Sequence, residues 1–226
     1  MGVLQIMELT MDKIPSGFHG DIFLRSLVAK LMPQCTLYIE TGTHVGHTFA
    51  PMAKLYRETL CLGCEPAKGR HEIVSKRVST CDNATVFNES SQRFMLRLEK
   101  SYKEKMKDAK ALLWIDAHSK QHAWPLAEEV PFFINNIKST YMFIDDFYVP
   151  GTTRRQFRFN KFGKQRYTFD FVRRTIPKKT KYNVYYPAYK HPKGKQLTGW
   201  VLIQTGPRKI DLAKKYPKLV RLAEQH

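Results

Sequence analysis

The sequence predicts an α/β protein built on a mostly parallel sheet with helices on both faces, and three observations predict it. Five short apolar runs, rich in β-branched or aromatic residues, recur between residues 36 and 146. The intervals between them, 18, 18, 23 and 23 residues, each leave room for a crossover helix. The runs are apolar on both faces, as strands buried within a parallel sheet are. The composition permits such a core: 226 residues at 42% hydrophobic and 12% aromatic content are those of one folded domain, not of a disordered tail.

In chain order, residues 20–32 (GDIFLRSLVAKLM) read as an amphipathic helix stopped by Pro33. Strands follow at TLYIE (36–40), TLCLGCE (59–65), ATVF (84–87), ALLWID (111–116) and TYMFIDD (140–146). Helical stretches fill the gaps, at 47–58, 67–78, 90–106 and 124–137. The rhythm then changes. KYNVYYPAY (181–189) and TGWVLIQTG (198–206) are joined by a hairpin-length link, so the sheet should finish with an antiparallel pair. The chain divides into an N-terminal helical cap (1–34), a core (35–150), a basic and aromatic insertion (151–180) and a terminal hairpin and helix (181–226), all one domain.

The formal charge is +18, and its distribution is uneven. Residues 1–149 carry 18 basic and 17 acidic side chains, whereas the remainder carries 20 against 3, a net of +17. This asymmetry suits a polyanionic partner and equally a generic cationic surface. The start, MGVLQIMELTMDK, lacks a signal-peptide pattern, and no window approaches 18 apolar residues, so a soluble, cytoplasmic chain is expected. Four scattered cysteines make no disulfide framework. Cys61 and Cys64 form a lone CxxC inside an apolar run, which reads as two strand cysteines before it reads as zinc ligands.

In an open parallel sheet, ligands bind beyond the carboxyl ends of the strands. The first strand ends in Glu40-Thr41-Gly42-Thr43-His44-Val45-Gly46-His47-Thr48, where two glycines let the backbone turn tightly beside a ligand. It is neither GxGxxG nor a P-loop. The second strand ends in Glu65, placed to accept ribose hydroxyls. Asp116 closes the fourth strand, and Asp145 with Asp146 closes the fifth. Three carboxylates at neighbouring strand ends repel unless a cation or proton offsets them, and such an oxygen-rich set suits Mg²⁺, with Mn²⁺ or Ca²⁺ as alternatives. The ordinary alternative is that these side chains cap helices or pair with Arg and Lys.

This order of motifs resembles the class I S-adenosylmethionine-dependent methyltransferases, in the metal-dependent branch that includes catechol and macrocin-type sugar O-methyltransferases. ETGTHVGHT resembles that branch's E-x-G-x-x-x-G-x-S/T loop, CEP the acidic end of its second strand, and NESSQ the segment along the adenine. WIDAH and FIDDFYVPG resemble its two metal motifs, and the resemblance covers residues 34–206. It implies a Rossmann-like, seven-stranded sheet. It further implies that Glu40, Gly42, Thr43, His44, Gly46 and Thr48 surround the methionine moiety. Glu65 would hold the ribose, Ser91 and Gln92 would border the adenine, and Asp116, Asp145 and Asp146 would hold the metal. Catechol-type enzymes place a lysine three residues after the first metal Asp; here that position is Ser119, with Lys120 one step on. His118 is the preferred general base, and equally a candidate metal ligand or a group that orients Asp116.

Substrate recognition in this fold comes from the N-terminal segment and the insertion. The insertion interleaves Arg154, Arg155, Arg158, Lys161, Lys164, Arg166, Arg173 and Arg174 with Phe157, Phe159, Phe162, Tyr167, Phe169 and Phe171. That mixture could bind phosphates and stack bases, dock an anionic glycan, or form a lid whose aromatics enter the core. The preferred acceptor is a sugar, glycan or small vicinal-diol or catechol-like hydroxyl compound. RNA ribose 2′-O-methylation comes second, because GWVLIQTG lacks the Glu of the Lys-Asp-Lys-Glu tetrad used by such enzymes. A non-catalytic polyanion-binding module is the third reading.

Overall fold

The computed structural model describes residues 17–118, 125–162, 165–191, 194–207 and 209–222. Helix α1 (Ile22–Leu31) is capped by Asp21, whose carboxylate accepts the main-chain N–H of Phe23 and Leu24. Strands and helices then alternate: β1 (Leu37–Thr41), α2 (Phe49–Leu55), β2 (Leu60–Cys64), α3 (Lys68–Val78), β3 (Ala84–Phe87), α4 (Ser91–Lys107), β4 (Lys110–Ile115), α5 (Leu126–Asn136) and β5 (Ser139–Ile144). The insertion forms β6 (Phe157–Arg158), β7 (Lys161–Phe162), β8 (Gln165–Arg166) and α6 (Phe169–Arg173). The end of the chain gives β9 (Tyr182–Pro187), β10 (Leu197–Thr198), β11 (Val201–Thr205), α7 (Leu212–Lys215) and β12 (Leu219–Arg221).

The main sheet runs β12-β9-β11-β5-β4-β1-β2-β3. Strands β1 to β5 are mutually parallel, and β11 inserts antiparallel between β5 and β9. Seven of these strands are those the sequence leads one to expect. The eighth, β12, pairs antiparallel with the outer edge of β9; its three residues are too few to signal a strand. Residues of β1 and β4 are buried almost throughout, because crossover helices cover both faces. One core layer joins α1, α2 and α3 to Tyr38, Trp114, Phe143 and Trp200; the other joins α4, α5 and α6 to Ile39, Leu113, Met142 and Ile203. Each fully buried large apolar side chain contributes about 1.5–3 kcal/mol, so these alternating faces hold the strands in one register.

The register fixes the site. Thr41, Ile115 and Ile144 are direct partners across β1, β4 and β5, so all three strands end level. The order reverses between β1 and β4, since β2 and β3 follow on one side and β5 on the other. That switch point is where an open sheet leaves a crevice at its carboxyl edge.

Phe157, Phe159, Tyr167 and Phe169 of the insertion are buried, while Arg154, Arg155, Arg158 and Arg166 are exposed. These four rings are therefore core rather than a stacking platform, while Phe171 is half-buried and packs edge-on against Tyr167. All four cysteines are free and buried, Cys61 and Cys64 within β2. No helix among the described residues is long and apolar enough to cross a membrane.

Candidate active site

Two main-chain hydrogen bonds carry the sheet's register past the strand ends, from Asp116 N–H to Thr41 O at 3.1 Å and from Asp145 N–H to Ile115 O at 3.0 Å. Gly42, Asp116 and Asp145 therefore leave the sheet side by side. The loop after β1 needs left-handed backbone at Gly42 (φ 75°), His44 (φ 51°) and Gly46 (φ 82°). At Gly42 only glycine fits, because a Cβ there would lie 2.7 Å from the carbonyl oxygen of Asp116. Glu65 braces the same loop: its carboxylate accepts His44 N–H and Ala67 N–H, each at 2.9 Å. Glu40 is buried, hydrogen-bonded by the hydroxyl of Tyr38, and burial pushes its carboxyl well above the usual range.

A cavity of about 940 Å³ follows this edge, near the top of the ~300–1,000 Å³ range of small-molecule sites. Glu40, Gly42, Thr43, His44, Thr48 and Glu65 line it from one side. Ser91 and Gln92, at the start of α4, line it further along, and Asp116, His118 and Asp146 line the other end. Gly46 is not brought into the cavity; a Cβ there would meet the Val74 side chain at 2.6 Å, so it serves the packing of the loop on α3. Lys120 lies outside the described residues.

The three aspartates converge. Asp145 and Asp146 are 3% and 5% exposed, and the Oδ1 of each accepts no hydrogen bond among the described residues. Burial, then the charge of Asp145, raises the carboxyls of both Asp116 and Asp146. Two imidazoles offset this charge. His118 places Nδ1 3.3 Å from Asp116 Oδ1 and Nε2 3.8 Å from Asp146 Oδ2, and its hydrogen bond to Asp116 lifts its pKa to about 9. His19 stands 2.6 Å from Asp145 Oδ2 and is raised to about 9 by that charge. Asp146 has left-handed backbone (φ 53°), held by Asn160, which donates its main-chain N–H to the Asp146 carbonyl and its side-chain amide to Oδ2.

Arg158, one of the basic residues the sequence offers for substrate recognition, lines the cavity, as do His19 and Asn160, which the sequence alone did not single out. Glu129 on α5 was likewise missed. It is fully buried, and the hydroxyls of Thr41 and Ser91 face it without reaching hydrogen-bond geometry. Burial raises it to about 8.

The Oδ1 atoms of Asp145 and Asp146, which accept no hydrogen bond among the described residues, and the convergent nitrogen and oxygen donors fit a divalent cation. One ligand atom each from Asp116, His118 and Asp146 lie within 4.8 Å of one another, as do one each from His19, Asp116 and Asp145.

Neither a protein-family model nor a curated protein matches the sequence. Solved structures do. The O-methyltransferase TomG from Streptomyces achromogenes, involved in tomaymycin synthesis and solved with S-adenosylmethionine, superposes with a TM-score of 0.57. It is 12% identical, over 90% of this chain and 89% of that one. An O-methyltransferase from Bacillus cereus, solved with S-adenosylhomocysteine, gives 0.55 at 12% identity, over 89% and 90%. The chain thus has the Rossmann-like fold of class I methyltransferases, on a sheet of eight strands where the resemblance implied seven.

Proposed function

We propose that this protein is an S-adenosylmethionine-dependent O-methyltransferase, assisted by a divalent cation, that acts on a hydroxyl of a sugar, glycan or small vicinal-diol acceptor. The observation that carries the reading is a single cavity lined by Asp116 and Asp146, with the buried Asp145 joined to it through the lining residue His19, and also by Glu65, Ser91 and Gln92. The glycine loop beside Glu65 would seat the methionine and ribose portions of the methyl donor, and Ser91 and Gln92 would border its adenine.

Asp116, Asp145 and Asp146 would hold the cation, which would acidify a coordinated hydroxyl near neutral pH. His118 would supply the proton acceptor, as a neutral ring, once a held cation offsets the aspartate charge that lifts it to about 9. Its Nδ1 lies 3.0 Å from the Asp116 carbonyl oxygen, which only accepts, so Nδ1 carries the proton of the neutral ring. Nε2 is then the basic atom and takes the acceptor's hydroxyl proton. The bound donor would supply an electrophilic methyl carbon, to which the acceptor oxygen would bond as the carbon–sulfur bond breaks and its electron pair leaves on sulfur as a neutral thioether.

An anionic acceptor is favoured by Arg158, which lines the cavity with its Nε 3.9 Å from Asp146 Oδ1, and by the exposed Arg154, Arg155 and Arg166 nearby in sequence. The burial of Phe157, Phe159, Tyr167 and Phe169 favours this reading over single-stranded RNA, which needs exposed rings to stack its bases. The test is transfer of a tritiated methyl group from S-adenosylmethionine into a panel of glycans, catechols and RNA, with and without EDTA. Label in a glycan or small diol, lost with EDTA and restored by Mg²⁺ or Mn²⁺, is expected. Label confined to RNA, or insensitive to EDTA, would overturn it.

A further inference from the structure

Residues 17–20 form a turn that the sheet does not explain. Phe18 and His19 both adopt left-handed backbone, φ 52° each, between two glycines. Non-glycine residues hold that conformation only when their surroundings compensate. Two contacts anchor Phe18: its ring packs edge-on against Trp114 at 4.9 Å between centroids, and its N–H donates to Thr48 Oγ1 at 3.3 Å. The third contact belongs to His19, whose Nε2 lies 2.6 Å from Asp145 Oδ2 across 126 positions of sequence. A pure counter-charge would account for that pair. It leaves Asp145 Oδ1 buried without a donor among the described residues, and a buried acceptor in that state has an unmet electrostatic need.

We propose that His19 is a ligand of the cation held by Asp116 and Asp145, so that cation binding and docking of residues 17–20 onto the strand ends are one event. The inference rests on the cation reading above and extends it to the N-terminal segment. An imidazole donor shifts a site from the hard, oxygen-only preference of Mg²⁺ toward Mn²⁺ and later first-row ions. Because Phe18 holds Thr48 in the loop after β1, the docked turn also links the cation to the loop proposed to seat the methyl donor.

The experiment is calorimetric titration of Mn²⁺ and of Mg²⁺ into the full, metal-stripped chain, comparing wild type, His19→Ala, His19→Gln and Asp145→Asn, without substrate or turnover. Wild type should bind Mn²⁺ more tightly than Mg²⁺. His19→Ala should weaken Mn²⁺ about 10–100-fold, with a smaller loss for Mg²⁺. His19→Gln can still donate a hydrogen bond to Asp145; it should keep the metal-free melting temperature yet lose the Mn²⁺ affinity, which separates ligation from folding. Amide exchange in residues 17–24 should slow on adding Mn²⁺ to wild type and not to His19→Ala. Unchanged or tighter Mn²⁺ binding in both His19 variants would make His19 a counter-charge and overturn the proposal. Failure of wild type to bind either ion, or binding unaffected by Asp145→Asn, would instead remove the cation reading itself.

Discussion

Gly42 packs against the main chain of Asp116 so closely that a Cβ on it would stand 2.7 Å from the Asp116 carbonyl oxygen. The loop after β1 and the loop after β4 are therefore set by one contact, at a residue with φ 75°. Gly42→Ala should cost about 1–3 kcal/mol in urea unfolding and weaken S-adenosylhomocysteine binding at least tenfold. Gly69→Ala is the contrast: it sits in α3 with nothing within 4 Å of a new Cβ, and it should stabilise by about 0.5–1 kcal/mol. Equal behaviour of the two variants would refute the contact's role.

Glu65 ties its two carboxylate oxygens to different backbone amides, His44 N–H and Ala67 N–H. In Glu65→Gln one acceptor becomes a donor facing a donor. Losing a satisfied buried hydrogen bond costs about 1–3 kcal/mol, so donor affinity should fall about tenfold or more. Calorimetry reads this directly, and an unchanged dissociation constant would mean that Glu65 only braces the loop.

Glu129 gives a pH dependence with a definite sign. Its folded pKa is near 8 and its unfolded value near 4.5. Between those values the unfolded chain releases the proton while the folded chain keeps it, so stability is full below pH 4.5 and declines as pH rises toward 8. The slope is at most about 1.4 kcal/mol per pH unit. Glu129→Gln removes this loss. Its melting temperature should exceed that of wild type by a margin that grows from pH 5 to pH 8; a constant margin would contradict the assignment.

Asp21 caps α1 and also accepts the hydroxyl of Tyr189 at 2.6 Å, while the Trp200 indole N–H donates to that hydroxyl at 3.3 Å. Asp21→Ala should destabilise by about 1–2 kcal/mol from the lost cap, with more if the buried Tyr189 hydroxyl is left unpaired. Asp21→Asn, which keeps a capping oxygen, should recover most of it in the same chemical melt.

Much of this was legible in the sequence because parallel strands announce themselves: runs such as ALLWI and YMFI are apolar on both faces, and their end residues can be read off as Asp116 and Asp145. Glycine at 42 and 46 signals a turn in the same way, although only the packed structure separates Gly42 beside Asp116 from Gly46 against Val74. His19 was not legible. It reaches Asp145 from 126 residues away through two left-handed residues, and the only local hint is the glycine on either side of Phe18-His19. Asn160 was hidden in a segment whose basic and aromatic composition offers Arg158 among several cations without saying which side chain lines the cavity. Glu129 looks like any acid in the first turn of a helix; its burial follows from how α5 sits under Thr41 and Ser91.

The central claim is that the cavity along the carboxyl edge of β1, β2 and β4 holds S-adenosylmethionine. Calorimetric titration of S-adenosylmethionine and S-adenosylhomocysteine into the full chain tests it most directly. Saturable one-to-one binding of both, weakened at least tenfold by Gly42→Ala, is the predicted result. Absence of binding by either ligand to folded wild-type protein would contradict the account.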